Sequence, residues 1–304
     1  MKTSFVRQVV FPILAALIWG TAFVAQSVCA DRMPPFAFNA LRSFIALVFL
    51  FPLSRLLDAV SVRRGETPPK TDRRSWLIGG ICCGLILATA ANLQQAGIAD
   101  TSAGKAGFIT AFYVVLVPVF GIFLHRHTSP QIWVSVLLAV VGLWLLCIRA
   151  GEGFSLLPAD IFLILCAISY AVQIYCIDHF VQKVDGVKLA CGQFLWTGIF
   201  SAILSLIFED ASWWPNLAAC LLPVLYVGIF SSGIAYTLQI LAQKGSNPTV
   251  VTLLFSLESV FSVLAGAVLL GDRLTGREYL GCVLMLIAVV LAQVPLTGRQ
   301  ARTR

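Results

Sequence analysis

Apolar and polar stretches alternate along the whole chain. Ten apolar runs stand out, at 9–28, 36–53, 76–95, 104–124, 131–148, 159–180, 188–208, 217–241, 249–270 and 277–295. A helix needs about 20 mostly apolar residues to cross the hydrocarbon core of a bilayer. The pattern therefore predicts ten transmembrane helices. Lys2 and Arg7 precede the first run, as in a signal peptide. That run is longer than the roughly 7–15-residue core of a signal peptide and lacks a small-residue cleavage site, so it predicts a retained helix. The longest polar stretch, about 54–75, reads SRLLDAVSVRRGETPPKTDRR and predicts a basic cytoplasmic loop. Contact with anionic lipid head groups is a lesser role for it. The other connections are too short to hold a soluble domain.

Composition agrees. Of 304 residues, 59% are hydrophobic and 12% charged, against about 45–50% and 25% in soluble domains. A soluble enzyme and a disordered chain are both excluded. The net charge of +7 does not indicate nucleic acid, because the basic residues crowd into the connections between apolar runs. With the N-terminus placed in the cytoplasm, the inside segments hold fifteen Lys and Arg and the outside segments four, Arg32, Arg149, Arg273 and Arg277. This bias places both termini inside and the chain in the cytoplasmic membrane as a multi-pass protein. The loop GDRLTGRE, with two of those four arginines, runs against it. Most of the nine cysteines lie within apolar runs, where Cys behaves as a small hydrophobe. No Cys/His spacing suggests a metal, and no cofactor is expected.

The two halves resemble each other. GLILATAANLQQAGIADTSAGKAGFIT parallels GIFSSGIAYTLQILAQKGSNPTVVTLL, which aligns Leu93–Gln94 with Leu238–Gln239. LVPVFGIFL parallels LESVFSVLAG, aligning Val119–Phe120 with Val260–Phe261, and AALIWGTAF loosely matches LCAISYAVQ. A repeat of five helices is odd, so its second copy enters the membrane from the opposite side. The expected architecture is all-α, with ten helices in two inverted five-helix repeats, 1–148 and 149–304, as in many secondary transporters.

Four segments carry a resemblance to a known family: IWGTAFVAQ at 18–26, FNALRSFIAL at 38–47, LQQAGIADTSAGKAGFITAFYVVLVPVF at 93–120, and FSLESVFSVLAGAVLLGDRLTGREYLGCVLMLIAVVL at 255–291. The chain resembles the EamA-type transporters of the drug/metabolite transporter superfamily over nearly its whole length. The resemblance implies cytoplasmic termini and a central substrate cavity lined mainly by helices 1, 3, 4, 6, 8 and 9. LHRHTSP departs from the family pattern, which often has an acidic residue after helix 4, as Asp272 stands after helix 9.

Ionisable groups inside a membrane are costly and become functional candidates. Glu258 lies near the middle of helix 9, Arg42 within helix 2 and Lys105 near the outer start of helix 4. Glu258 is a candidate for ion coupling, for a counter-charge to a substrate amine, or for helix packing through a bond to a neighbouring Ser or backbone group. Arg42 is placed to pair with Glu258, to meet an anionic substrate, or to serve only structure as a salt bridge or by snorkelling to the outer face. Lys105 either snorkels to the interface or guards the outer mouth. Around it, Ala103, Gly104, Ala106 and Gly107 predict close helix packing. Asp178 and His179, at the end of helix 6, are discounted because solvation is easy there.

Polar and aromatic residues make a candidate cavity lining: Trp19 and Phe23, with Gln26 on the same face of helix 1; Asn92 and Gln95 near the outer end of helix 3; Tyr113 on helix 4; Tyr170 and Gln173 on helix 6; Tyr236 and Gln239 on helix 8. Pro118 predicts a kink in helix 4. Its repeat counterpart, Ser259, predicts none.

The sequence thus points to a secondary transporter of small organic metabolites, amino acids, related compounds or drugs, working by alternating access as an exporter. Its partners are a small-molecule substrate and the lipid bilayer. No Walker motif is present for direct use of ATP. An integral-membrane enzyme acting on lipids is the alternative. It needs paired carboxylates or a histidine cluster, and His125 and His127 stand at i, i+2, which do not share a helix face. A channel needs rings of charge or a carbonyl filter, and neither is visible.

Overall fold

The computed structural model describes residues 5–65, 71–99, 103–126, 128–148, 158–269 and 274–294. Among these, ten helices are long and apolar enough to cross a membrane. They are α1 (Val6–Ala30), α2 (Pro35–Arg63), α3 (Arg73–Ala99), α4 (Ala106–Phe123), α5 (Pro130–Cys147), α6 (Pro158–Phe180), α7 (Gly186–Phe208), α8 (Ala211–Gln243), α9 (Pro248–Val268) and α10 (Gly276–Gln293). The protein is all-helical over the described residues. Each of the ten apolar runs corresponds to one of the ten helices.

The helix starts follow local chemistry. Pro stands at the first positions of α2, α5 and α9, where its missing N–H is no loss. The Asp185 side chain accepts from the backbone N–H of Val187 and Lys188 at the head of α7. Asn247 accepts from Thr249 at the head of α9. Thr275 and Glu278 form a capping box on α10.

Two expectations about the helices need correction. The segment 54–75 is not all loop. α2 runs on to Arg63, because SRLLDAVSVR contains no breaker before Gly65, which takes φ +75°. At 1.5 Å per residue its 29 residues reach about 43 Å, well past a hydrocarbon core. The second correction concerns symmetry. α4 is interrupted at Phe112, between Ala103–Ala111 and Tyr113–Phe123. But α9 is interrupted too, at Ser256, between Pro248–Phe255 and Leu257–Leu269. The Ser256 hydroxyl donates to the Leu253 carbonyl at 2.7 Å, and the Ser259 N–H turns to the Ser256 carbonyl. Such side-chain bonding competes with the helical ladder. No proline is needed for the break.

The helices cross closely where glycines face a neighbour. A Cβ on Gly142 of α5 would lie 3.0 Å from the Gly281 carbonyl oxygen of α10, and one on Gly281 2.8 Å from that of Gly142. A Cβ on Gly20 of α1 would lie 2.7 Å from the Glu258 carbonyl oxygen on α9. Small residues permit this approach, as is usual between helices in lipid. Gly107 behaves otherwise: a Cβ there would meet nothing, so it does not serve close packing of α4. The side chains of residues 103–105, Lys105 among them, lie outside the described residues, as do Arg149 and the loop 270–273 with Asp272 and Arg273.

Around this frame, α5 packs on α10, α2 on α7, α3 on α6 and α7, α8 on α1 and α2, α9 on α1, and α4 on α6. Trp213 and Trp214 stack at 4.7 Å at the start of α8, where amphipathic rings suit a membrane interface.

Candidate functional site

A cavity opens among α1, α2, α3, α4, α6, α8 and α9, enclosing about 510 Å3 of empty space out to its open side. Trp19, Phe23 and Gln26 face it from α1, and Arg42 from α2. Gln94 comes from α3, Thr110 and Tyr113 from α4, and Tyr170, Gln173 and Ile174 from α6. Ser231, Tyr236 and Gln239 come from α8, and Phe255 and Glu258 from α9.

The irregular backbone is concentrated here. Tyr113 is the first residue of the second segment of α4, and Glu258 sits in the first turn of the second segment of α9. Both breaks bring polar side chains into the cavity. Tyr113 donates its phenolic hydrogen to Oε1 of Glu258 at 3.3 Å. In α8 the segment Val227–Ala235 is π-helical, a widening often found at functional sites. It carries Ser231, on the cavity wall, and Ser232, whose hydroxyl accepts from Nε of Arg42 at 3.0 Å. Arg42 also donates to Oε1 of Gln26 at 3.2 Å. These two bonds fix the guanidinium on neutral partners and leave N–H donors over.

The charges are few and deeply placed. Arg42 is 4% exposed and Glu258 7%. They do not form an ion pair with each other among the described residues. Each therefore holds a buried charge-bearing group against neutral hydrogen-bond partners only, an expensive arrangement in a low-dielectric interior. The rest of the wall is amphipathic. Tyr236 donates to the Tyr170 hydroxyl at 3.3 Å, and Tyr170 to Oε1 of Gln94 at 3.2 Å. The Trp19 ring packs edge-on against Tyr236 and Phe255, with centroids 4.9 and 5.3 Å apart. Nε1 of Trp19, Oε1 of Gln173 and Oε1 of Gln239 are buried with no hydrogen-bond partner among the described residues. They are polar atoms awaiting one.

Of the residues singled out from the sequence, Trp19, Phe23, Tyr113, Tyr170, Gln173, Tyr236, Gln239, Glu258 and Arg42 come together on this cavity. Asn92 and Gln95 do not. Asn92 accepts from Asn39 at 2.9 Å and donates to Ser201 at 3.0 Å, which ties α3 to α2 and α7. Gln95 reaches the Gln26 carbonyl at 3.5 Å. Each is buried between helices, one or two residues away from the residue that does line the cavity, Gln94. The repeat carried the missing signal, because it aligns Gln94 with Gln239. Thr110, Ile174, Ser231 and Phe255 had no such signal. They are small or apolar, and only the packing shows which way they face.

At the end of the bundle where α1 begins, side chains join the end of α4 to α6. Arg126 donates to Oδ2 of Asp178 at 2.6 Å, and its guanidinium lies 5.7 Å from the Tyr175 ring centroid. The Tyr175 hydroxyl donates to the Val117 carbonyl at 2.6 Å.

The EamA-like transporter family matches the chain over residues 7–148 and 157–293. An uncharacterized transporter of Archaeoglobus fulgidus is 30% identical over 282 residues, covering 92% of this chain and 84% of its own. YedA, an uncharacterized inner membrane transporter of Escherichia coli K12, is 26% identical over 281 residues, covering 90% of this chain and 87% of its own. A WAT1-related chloroplastic protein of Arabidopsis thaliana is 26% identical, covering 91% of this chain and 67% of its own. A crystal structure with 22% identity superposes with a TM-score of 0.76, covering 94% of this chain and 96% of its own. It shares the fold.

Proposed function

The chain belongs to the EamA-like transporter family, and we propose that within it this protein exports small zwitterionic metabolites, amino acids or close relatives, by alternating access. One observation carries the reading: a buried cation on α2 and a buried carboxyl on α9 face one cavity without pairing with each other. A guanidinium and a carboxyl group set apart on one cavity suit a solute that brings a carboxylate and an ammonium. Arg42 receives the carboxylate through its free N–H donors, since a guanidinium fork matches a carboxylate. Glu258 receives the ammonium, with Tyr113 holding the carboxyl in place. Trp19, Tyr236 and Phe255 provide apolar walls for a side chain, and the open oxygens of Gln173 and Gln239 supply further acceptors.

The helix packing supports two inverted repeats. A two-fold operation that exchanges each helix with the one five places on maps the α3–α6 contact onto α8–α1. It maps α3–α7 onto α8–α2 and α4–α6 onto α9–α1, and returns α5–α10 and α2–α7 to themselves. Rocking one repeat on the other about the cavity opens it to alternate sides. In this reading the Arg126–Asp178 contact closes the cytoplasmic side, and both termini are cytoplasmic by the Lys and Arg bias. Export is assigned from the family association.

Counterflow in proteoliposomes tests the reading. Vesicles preloaded with a neutral amino acid should accumulate the labelled compound transiently, and vesicles with Glu258→Gln protein should not. Counterflow with organic anions or amines alone, and none with amino acids, would reject the substrate class.

A further inference from the structure

A second pocket lies at the end of the bundle where α1 begins, apart from the central cavity and sharing no lining residue with it. It sits between the extended end of α2 and the heads of α3 and α7, and holds about 850 Å3 of open space. Its charged lining is Arg55 and Asp58 from α2, Arg73 from α3 and Lys188 from α7. Lys188 is paired with Asp58 at 2.9 Å. Arg55 and Arg73 have no carboxylate partner among the described residues, so the pocket carries an excess of two positive charges. Its walls are held by specific contacts. The Arg55 guanidinium lies 5.3 Å from the Phe51 ring centroid. The Trp76 indole donates to the Lys188 carbonyl at 2.7 Å, which joins α3 to α7.

The pocket joins charged residues to an exposed apolar face of α2. Phe51 lines it and is 54% exposed; Val48, one turn back on the same face of α2, is 73% exposed. In a membrane that face meets acyl chains. A ligand filling the pocket from the bilayer would thus place an anion between two guanidinium groups and run hydrocarbon along α2. A free anion would use the first feature and leave the second unused.

We propose that this pocket binds the phosphodiester head group of an anionic phospholipid, of which phosphatidylglycerol is the probe. The site clamps the end of α2 to α3 through Arg55 and Arg73, and a basic pocket between helices is a known form of head-group recognition. The sequence suggests head-group contact only as a diffuse role of a basic loop; the pocket itself forms because α2 continues as a helix to Arg63.

The test uses the full chain in detergent micelles doped with phosphatidylglycerol or phosphatidylcholine, with thermal unfolding followed by intrinsic fluorescence. Phosphatidylglycerol should raise Tm saturably and phosphatidylcholine should not, since a ligand that binds the folded state stabilises it. Arg55→Gln/Arg73→Gln should match the wild type in phosphatidylcholine and need at least tenfold more phosphatidylglycerol for the same rise. Arg63→Gln/Arg64→Gln, at the same end but outside the pocket, should keep the response. If the double pocket variant does not fold, Arg55→Gln alone gives the same reading, because that side chain is exposed. Equal response to both lipids overturns the proposal, as does equal loss in the control variant, which would mean diffuse surface charge. A Tm rise of the same size with inorganic phosphate alone would mean a free-anion site and overturns the lipid assignment.

Discussion

The phenol of Tyr113 donates to the carboxyl of Glu258 across 3.3 Å, and each residue lies in the first turn of the second segment of an interrupted helix. Two breaks on different elements, one in α4 and one in α9, are thereby joined by a single hydrogen bond at the wall of the cavity. Interrupted helices at mid-membrane are where transporters of inverted-repeat design place their substrates.

Glu258→Gln keeps an oxygen that accepts from Tyr113 and removes the charge. Its Tm in detergent should stay within a few degrees of the wild type. Affinity for a zwitterionic ligand should fall at least tenfold, since hydrogen bonds to charged groups contribute about 1.5–3 kcal/mol. Isothermal titration alongside the unfolding curve separates the two effects. A large drop in Tm with affinity unchanged would make Glu258 a packing residue.

Arg42→Lys keeps the positive charge and loses the fork. Lysine cannot donate to Ser232 and Gln26 as a planar guanidinium does while presenting two more N–H groups to a carboxylate. Affinity should fall by roughly tenfold or more, with Arg42→Gln falling further, by about 2–5 kcal/mol. Lysine at wild-type affinity would show that only the charge at this position matters.

Gly20→Ala should destabilise the protein by about 1–3 kcal/mol through overpacking. The new Cβ meets the Glu258 carbonyl oxygen, the Phe261 Cβ and the Ser262 nitrogen, each at 2.7 Å, and two of these are backbone atoms that cannot swing away. Thermal unfolding reads it directly. Gly107→Ala, where a Cβ meets nothing, is the matched control and should leave Tm within a degree or two.

Arg126→Gln removes the ion pair to Asp178 and the contact with Tyr175. The Arg126 side chain is half-exposed (49%) and that of Asp178 is 9% exposed, so the pair contributes about 1 kcal/mol or less. Amide exchange near Phe123 and near Phe180 should quicken by up to about fivefold. The α5–α10 crossing at Gly142 and Gly281 should exchange as before. Uniform quickening across all helices would mean loss of global stability, not opening at one end.

The ten spans were legible because lipid admits one pattern: an apolar run of about 20 residues. Trp19, Phe23 and Gln26 were legible on α1 because their spacing follows the helix. Gln94 was not separable from Gln95 by composition, since adjacent residues on a helix point about 100° apart and only packing sets the zero of that rotation. Asn92 was polar near the outer end of α3 for a structural reason, its bonds to Asn39 and Ser201. The break in α9 at Ser256 escaped notice because serine is not a strong breaker; its effect depends on which carbonyl its hydroxyl finds. The end of α2 was read as loop from its charge, although charge on a helix that leaves the membrane costs nothing.

The most direct test compares binding of phenylalanine, phenethylamine and 3-phenylpropionate to the wild type, Arg42→Gln and Glu258→Gln proteins by titration calorimetry. The zwitterion should bind the wild type at least tenfold more tightly than either singly charged analogue. Arg42→Gln should bring phenylalanine down to the affinity of phenethylamine, and Glu258→Gln to that of 3-phenylpropionate. Equal wild-type affinity for all three compounds, or a preference that neither variant alters, would contradict the assignment of Arg42 and Glu258 as the two poles of the site.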